Sequence, residues 1–305
     1  MYSKLVSVVI PTYKRPTMLD RAIDSVLNQT YENIEVIVVD DNNPDTDYRK
    51  ETETIMEKFK NEKKVKYIKH EHNKNGSAAR NTGWKNSNGE YITFLDDDDV
   101  ISSNRIELMA KLLDSLDQSW GMCYSAYELK KENGEVQKSF SKKFGNCYIN
   151  ALMRTFFMGS GSNLFLRKSV VDEIDGYDES FIRNQDIEFL VRATEKYKIA
   201  YIDEVLLKIY QEGNRKKRSF EEVELITKHY LDTFDEKINK LSKEDKNRVI
   251  TVISLERFRT ALYDKKIISG LKILIVNNVS FINFIKYILY LLKRVFTHES
   301  YGFYI

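Results

Sequence analysis

Residues 5–41 have the sequence LVSVVIPTYKRPTMLDRAIDSVLNQTYENIEVIVVDD. Apolar runs rich in β-branched residues at 5–11 and 34–40 predict two strands, and the stretch around 17–29 between them predicts a helix. A strand, a helix and a second strand form a βαβ unit, whose two strands lie parallel in one sheet. This stretch therefore places the chain in the α/β class.

The same alternation continues towards the middle of the chain. Further strands are predicted at 65–70 and 90–96, and further helices around 48–60, 77–87 and 103–116. This order indicates a mostly parallel sheet with helices on its faces. Ligands of such sheets bind beyond the carboxyl ends of the strands. We therefore expect three strand ends to meet at one rim of the sheet, namely 11–13, 40–41 and 96–99.

The third strand end carries an unusual acidic run, in the sequence GEYITFLDDDDVI at 89–101. Four adjacent carboxylates repel each other, and placing them at the end of a buried strand is unfavourable unless a positive group neutralises them. A hard divalent cation, which prefers oxygen ligands and also binds phosphate, would do so. Alternatively, the run caps a helix that begins near Ser102, because carboxylates favour helix N-termini.

Composition limits the broad class of protein. A chain of 305 residues with 42% hydrophobic content can bury the core of one large domain with an appendage. Lys and Arg number 48 against 46 Asp and Glu, a balance that indicates no nucleic-acid partner. Cys123 and Cys147 lack disulfide-scaffold spacing, and residues 1–13 do not resemble a signal peptide, so we expect a cytoplasmic protein.

Five segments of the chain form a familiar pattern. They are SVVIPTYKRPTMLDRAIDSVLNQTYENIEVIVVDDNNPDT (7–46), GSAARNTG (76–83), GEYITFLDDDD (89–99), GSGSNLFLRKSVVDEIDGYDES (159–180) and NQDIEFLVRA (184–193). In this order and spacing they resemble glycosyltransferase family 2, over roughly residues 3–215. The resemblance implies the GT-A fold, which is Rossmann-like, and an inverting transfer of a sugar from a nucleotide-diphospho-sugar. It does not indicate which sugar is transferred.

The resemblance also implies roles for residues at the first two strand ends. Pro11, Thr12 and Tyr13 would lie against the nucleotide base, with the Tyr13 ring available for stacking. Asp41 would accept a hydrogen bond from N3–H of uracil, which implies a UDP-sugar donor. Arg80 would reach the nucleotide or the diphosphate. Ordinary packing, turn-capping and solvated-arginine roles are the alternatives for these side chains.

Within the acidic run, the resemblance implies a division of roles. Asp98 would bind a divalent metal ion, Mn²⁺ or Mg²⁺, while Asp96 and Asp97 would lie nearer the ribose and the sugar. Asp99 is expected to cap the following helix. The fully acidic run differs from the family's commoner pattern, which has a small residue in the middle.

The acceptor side of the site is implied by NQDIEF at 184–189. Asp186 would be the general base, because a sugar hydroxyl must lose its proton as it attacks. Gln185 stands where the family usually carries a Glu. The basic segment 213–219 could close over the diphosphate or remain a solvated charge run, and Glu212 occupies the place of a frequent metal-binding histidine.

The C-terminal region 219–305 is predicted to be helical, which leaves residues 1–218 as the catalytic domain. Within 269–296 the longest uncharged stretch covers 13 residues (273–285), too few to cross a bilayer. A helix there would have an apolar stripe consisting of Phe281, Phe284, Ile285, Ile288, Leu289, Leu292 and Phe296. Lysines and arginine beside the stripe favour peripheral association with an anionic membrane. Packing against the catalytic domain is the alternative.

The residues and the resemblance lead to one functional expectation. The chain is expected to be a metal-dependent, inverting glycosyltransferase that transfers a hexose or N-acetylhexosamine from a UDP-sugar to a hydroxyl of a saccharide acceptor. The acceptor could be lipid-linked, and the product a capsular, cell-wall or O-antigen polysaccharide of a bacterial surface. The alternative is a catalytically inactive nucleotide-sugar-binding or scaffold subunit, which the departures at Gln185 and Glu212 keep open.

Overall fold

A computed structural model describes residues 4–139, 142–211, 218–297, 303 and 305. The chain divides into two compact units. The first comprises Met1–Cys147 and Met158–Gln211, and the second comprises Tyr148–Phe157 and Glu212–Ile305. The boundary near residue 211 lies close to the predicted one at 218. The sequence did not indicate that residues 148–157 join the C-terminal unit.

The described residues of the first unit form a nine-stranded sheet. The strands are β1 Val6–Thr12, β2 Ile34–Asp40, β3 Val65–Lys69, β4 Tyr91–Phe94, β5 Val100–Ile101, β6 Trp120–Lys131, β7 Val136–Lys138, β8 Phe165–Arg167 and β9 Lys198–Gln211. Their order is β3-β2-β1-β4-β8-β6-β9-β5, with β7 beside β6. The first four strands of this order are parallel, as predicted, whereas β8 is antiparallel to both of its neighbours. The complete sheet is therefore mixed.

Helices of the first unit pack on its sheet, and the described residues of the second unit form helices. They are α1 Pro16–Leu27, α2 Asp47–Met56, α3 Gly76–Lys85, α4 Arg105–Asp114, α6 Lys168–Glu173 and α7 Gln185–Lys196 in the first unit, and α5 Tyr148–Leu152, α8 Phe220–Asn239, α9 Lys243–Tyr263, α10 Ile267–Val276 and α11 Phe281–Thr297 in the second. In β1, Val8 and Ile10 belong to the core shared with α1 and α4. Val9 points the other way, and α3 approaches it so closely that a Cβ at Gly83 would overlap its side chain. Both faces of β1 are thus buried.

The predicted convergence of strand ends is confirmed. β1 runs parallel to β2 and to β4, so their carboxyl ends lie at one edge of the sheet. The backbone N–H of Asp41 donates to the carbonyl of Thr12 at 3.0 Å, and the Thr12 hydroxyl donates to Asp97 at 2.8 Å. These two bonds join the ends of all three strands.

The second unit is helical, as predicted. α8 begins with a capping box in which Ser219 and Glu222 satisfy each other's backbone N–H groups. α10 packs closely on α9 at Gly270, where a Cβ would lie 3.0 Å from that of Ala261. Phe284 of α11 packs edge-on against Phe258 of α9, with ring centroids 5.3 Å apart. Among the described residues, no helix is both long enough and apolar enough to cross a membrane.

Candidate active site

The acidic run lies in a buried polar setting at the rim of the sheet. Asp97 accepts the Thr12 hydroxyl, and Asp99 accepts the Ser160 hydroxyl at 2.9 Å. The backbone N–H of Asp96 donates to Ser162 Oγ, also at 2.9 Å. Residues 160–162, from the GSGSN sequence, therefore pack directly against the run. A short 3₁₀ turn at Gly161–Asn163, which Ser160 caps, shapes this loop.

Arginines supply the positive charge that the acidic run requires. Arg15 Nη1 forms an ion pair with Asp98, and Arg80 Nη2 lies 2.5 Å from Asp96 Oδ1. Arg21 donates to the backbone carbonyl of Asp98 at 2.9 Å. No role for Arg15 or Arg21 was predicted from the sequence. Arg15 lies three residues beyond the end of β1, and this position could have indicated that its side chain reaches the rim.

The arginines do not neutralise the run completely. Burial raises the pKa of Asp97 to about 7, and the neighbouring carboxylates Asp98 and Asp96 add repulsion. Burial raises the pKa of Asp99 to about 8, again with repulsion from Asp96 and Asp98. Hydrogen bonds from hydroxyl groups oppose both shifts. At neutral pH, therefore, Asp99 is largely protonated and Asp97 is divided between its two forms unless a further cation binds.

The carboxylate oxygens of the acidic run are suitable ligands for a hard divalent cation. One carboxylate oxygen from each of Asp96, Asp98 and Asp99 lies within 4.8 Å of the other two, and oxygen is the ligand that Mn²⁺ and Mg²⁺ prefer. The expected helix-capping role of Asp99 is wrong, since α4 begins at Arg105 and has Asn104 at its N-cap position. Asp99 is buried beside its acidic neighbours instead.

Arg80 connects the acidic run to the N-terminus of α7. Its second nitrogen, Nη1, donates to Gln185 Oε1 at 2.9 Å. The next residue, Asp186, is half-buried in the first turn of α7. A Cβ placed on Gly161 would lie 3.6 Å from the Cβ of Asp186, so the 160–162 loop lies between Asp186 and the run. Burial raises the pKa of Asp186, while Arg80 acts in the opposite direction.

Other acids close to Asp186 in the sequence have structural partners. Glu188 is 1% exposed and forms a two-point ion pair with Arg192, which also donates to the carbonyl of Gly176. Glu179 accepts the Asn81 side-chain amide at 2.9 Å. These contacts leave Asp186 as the better candidate for a proton acceptor.

Asp41 lies at the rim but is already saturated with hydrogen bonds. Its buried carboxylate accepts His70 Nδ1, the side-chain amide of Asn73 and the backbone N–H groups of Lys74 and Asn75, at 2.7–3.0 Å. Four bonds are the number that a carboxylate ordinarily accepts. Asp41 thus anchors the loop 70–75, and binding uracil N3–H would require one of these donors to move.

The remaining predicted residues lie at the end of β1. Pro11 is half-buried within the strand, and the Tyr13 side chain is 39% exposed just beyond it. Lys14 Nζ lies 5.0 Å from the centroid of the Tyr13 ring, and this ring can still offer a face to a base. Glu212 and residues 213–217 of the predicted basic lid lie outside the described residues.

Comparison with known families identifies the chain. The sequence model of glycosyl transferase family 2 matches residues 7–175, which include the acidic run and the 160–162 loop. The chain belongs to glycosyltransferase family 2. Uncharacterized glycosyltransferase RP339 of Rickettsia prowazekii is 31% identical over 255 residues, covering 80% of this chain and 75% of the relative.

Relatives in this family differ in length and in how well they are known. The chain spans about a third (34%) of the length of a Rickettsia felis glycosyltransferase to which it is 31% identical over 212 residues, or 68% of this chain. A Campylobacter jejuni relative, GalNAc(5)-diNAcBac-PP-undecaprenol beta-1,3-glucosyltransferase, is 30% identical over 185 residues. That match covers 59% of this chain and 56% of the relative.

Solved glycosyltransferase structures share the fold. S. aureus TarS 1-349 in complex with UDP-GlcNAc superimposes with a TM-score of 0.63 at 20% identity, over 85% of this chain and 73% of TarS. Mannosyltransferase PcManGT of Pyrobaculum calidifontis, in complex with GDP-Man and Mn²⁺, gives a TM-score of 0.59 at 15% identity, over 90% of this chain and 76% of PcManGT. The GT-A fold implied by the family resemblance is thus confirmed.

Proposed function

We propose that this family 2 glycosyltransferase transfers a hexose or N-acetylhexosamine from a UDP-sugar to a hydroxyl of a saccharide acceptor, with inversion. One observation carries the proposal. The 160–162 loop touches the acidic run on one side and Asp186 on the other, so a carboxylate cluster suited to a cation and a separate candidate proton acceptor lie at one rim. A single displacement requires such a pair of groups.

In this mechanism Asp186 removes the proton from the acceptor hydroxyl. The hydroxyl oxygen attacks the anomeric carbon on the side opposite the nucleotide, and the bond from that carbon to the diphosphate oxygen breaks. A divalent cation held by Asp98, with Asp96 and Asp99, would act as a Lewis acid towards the departing diphosphate. Arg80 keeps Asp186 closer to its ionised form at neutral pH, because its positive charge opposes the effect of burial.

Relatives support the proposed substrates. The Campylobacter jejuni relative is named as a glucosyltransferase acting on an undecaprenol-linked saccharide, and WfgD of Escherichia coli as a UDP-Glc-dependent enzyme with a diphosphoundecaprenol acceptor. TarS was solved with UDP-GlcNAc, whereas PcManGT was solved with GDP-Man. We therefore favour a UDP-sugar, a lipid-linked acceptor and a role in bacterial surface polysaccharide synthesis. The cytoplasmic location expected from the cysteines belongs to the same proposal.

A donor panel tests the proposal. Purified protein is incubated with UDP-glucose, UDP-N-acetylhexosamines and GDP-mannose, each with Mn²⁺, with Mg²⁺ or with a chelator, and release of the nucleotide diphosphate is measured. We expect slow hydrolysis of one UDP-sugar that depends on the cation. Release from GDP-mannose alone would contradict the UDP assignment. Binding of a donor without any release would favour the inactive subunit.

The general base is tested with a matched pair of variants. Asp186→Asn keeps the shape of the side chain but cannot accept the proton, so we expect unchanged donor affinity and a loss of transfer of about 100- to 10,000-fold. Asp178→Asn, at a neighbouring acid outside α7, is the control and should transfer at the normal rate. Normal transfer by Asp186→Asn would move the base to another residue.

A further inference from the structure

The charged side chains in the last part of the second unit are all basic, apart from residues beyond 297. Residues 265–297 contain six lysines and arginines and no aspartate or glutamate. The segment includes α10 and α11, and the remainder of the chain has slightly more acids than bases, because 46 acids face the other 42 lysines and arginines. A local excess of this kind attracts a negatively charged partner.

α11 has two apolar faces rather than one. Phe284 packs against Phe258, and Tyr287 is 1% exposed with its ring against Phe303. The stripe predicted from the sequence wrongly included Phe284, which packs inward, and Ile288, which is half-buried. The outer stripe consists of Phe281, Ile282, Ile285, Leu289, Leu292 and Phe296, all exposed. At 100° per residue these positions span about 100° of the helix surface.

Lysines border the outer stripe. Lys286 and Lys293 are exposed and fall on the same edge of it, within about 40° of Ile282 on the helical wheel. α10 repeats the arrangement, because Ile268, Leu271 and Ile275 form an exposed stripe with Lys272 beside it. Contiguous apolar surface of this kind is uncommon on a protein that remains free in water.

We propose that the outer stripes of α10 and α11 bind the surface of an anionic membrane. Large apolar side chains would enter the boundary between headgroups and acyl chains, and Lys272, Lys286 and Lys293 would pair with lipid phosphates. At a rise of 1.5 Å per residue, the 17-residue α11 extends about 25 Å, short of the ~30 Å hydrocarbon core. α11 therefore lies along the membrane surface.

The charge pattern distinguishes a membrane from a second copy of the chain. A symmetric dimer through this face would bring the same lysines of both copies together. Like charges at a desolvated interface oppose association, whereas anionic lipid headgroups neutralise them. The inference does not depend on the proposed catalytic function, because it concerns binding in the absence of any sugar donor.

Vesicle flotation with the full chain tests the proposal. Phosphatidylcholine vesicles are compared with vesicles in which about a third of the lipid is phosphatidylglycerol, at low and high salt. We expect flotation with the anionic vesicles only, and weaker flotation at high salt. Failure to float with anionic vesicles at low salt would overturn the proposal.

Two triple variants separate the contribution of the apolar side chains to vesicle binding from that of the lysines. Phe281→Ser, Leu289→Ser and Phe296→Ser together should abolish flotation without unfolding the chain, since these side chains are 59–81% exposed. Lys272→Gln, Lys286→Gln and Lys293→Gln together should weaken binding to anionic vesicles about 100-fold. Unchanged binding by either triple variant would overturn the proposal.

Matched controls test whether the effect is local. Leu225→Ser replaces a side chain on α8 that is 70% exposed, and Lys50→Gln, Lys60→Gln and Lys63→Gln together remove three exposed lysines of the first unit. Both controls should float like the unaltered chain. Light scattering is run in parallel. A dimer that the serine variant converts to a monomer, in a protein that ignores vesicles, would assign the face to a second copy.

Discussion

Asp186 and Arg80 are coupled at the scale of single residues. Burial raises the pKa of Asp186, and the Arg80 guanidinium beside it opposes this rise. A general base works only when it is deprotonated, so the rate of transfer should rise with pH through the pKa of Asp186. A substitution that removes the positive charge of Arg80 should therefore move this rise in transfer rate to a higher pH.

We therefore predict that Arg80→Met shifts the acid limb of the pH profile of kcat/KM upward. Arg80→Lys is the control, because it keeps a positive charge and should leave the limb near its original position. The measurement is transfer rate against pH at saturating metal. An acid limb that stays in place in Arg80→Met would show that Arg80 does not act on the base, and that its role is to hold Gln185 and Asp96.

Asp98 forms an ion pair with Arg15 and belongs to the carboxylate cluster that would hold a divalent cation. We predict that Asp98→Ala abolishes Mn²⁺-dependent binding of UDP and leaves the fold intact. The Arg15 side chain is 52% exposed and can be solvated when its partner is lost, so little stability depends on it. Arg15→Gln should do the opposite and tighten Mn²⁺ binding severalfold, because a competing cation is removed.

Calorimetric titration of Mn²⁺, with and without UDP, measures both effects. Thermal unfolding of each variant controls for loss of the fold. Undiminished metal dependence in Asp98→Ala would show that the metal binds elsewhere. Weaker Mn²⁺ binding in Arg15→Gln would show that Arg15 organises the carboxylate rather than competing for it.

At the scale of elements, the loop 70–75 depends on a single buried carboxylate. Asp41 accepts four hydrogen bonds from this loop, two of them from backbone N–H groups. Asparagine offers one acceptor oxygen, and its amide group would face donors that the carboxylate now satisfies. An unsatisfied buried donor costs about 1–3 kcal/mol.

We predict that Asp41→Asn lowers the free energy of unfolding by about 3 kcal/mol and weakens nucleotide binding. Urea denaturation and UDP titration provide the two measurements. Asp45→Asn, at an exposed acid a few residues further along the chain, is the control and should change neither quantity. Full stability with lost UDP binding would show that Asp41 binds the uracil base and does not stabilise the loop 70–75.

At the scale of the whole molecule, the acidic rim makes stability depend on pH. Burial raises the pKa of Asp97 to about 7 and that of Asp99 to about 8, above the usual value of 3.8 in the unfolded chain. The folded state therefore binds more protons than the unfolded state between about pH 4 and 8. The contribution of these groups to stability is greatest at low pH and is lost as pH rises through 7 to 8.

We predict that, without divalent cations, the melting temperature falls between pH 6 and 8 by several degrees more in the unaltered chain than in Asp97→Asn/Asp99→Asn. Mn²⁺ should restore stability at pH 8, because a ligand of the folded state stabilises it by RT ln(1 + [L]/Kd). Scanning calorimetry at matched ionic strength measures both. Parallel pH curves for the two proteins would contradict the prediction.

The amino-acid sequence by itself determined which segments form strands and helices and where they lie along the chain. Strand and helix periods placed β1 to β4 and α1 to α4 within a few residues, because these patterns reflect which side chains each element buries. The rim followed from topology alone, because parallel strands end at the same edge. The acidic run and NQDIEF then predicted where the chemistry takes place, which stays a prediction, and the family match confirms the resemblance.

Tertiary structure alone decided the contacts between distant parts of the chain. Three of these contacts join residues far apart in sequence: the pairing of β6 with β9, the inclusion of 148–157 in the second unit, and the ion pair of Arg15 with Asp98. A fourth feature, the inward orientation of Phe284, depends on which face of α11 packs against α9. A local pattern records that a side chain is apolar or charged. Which partner it meets depends on how the complete chain packs, because burial and pairing are properties of the assembled core.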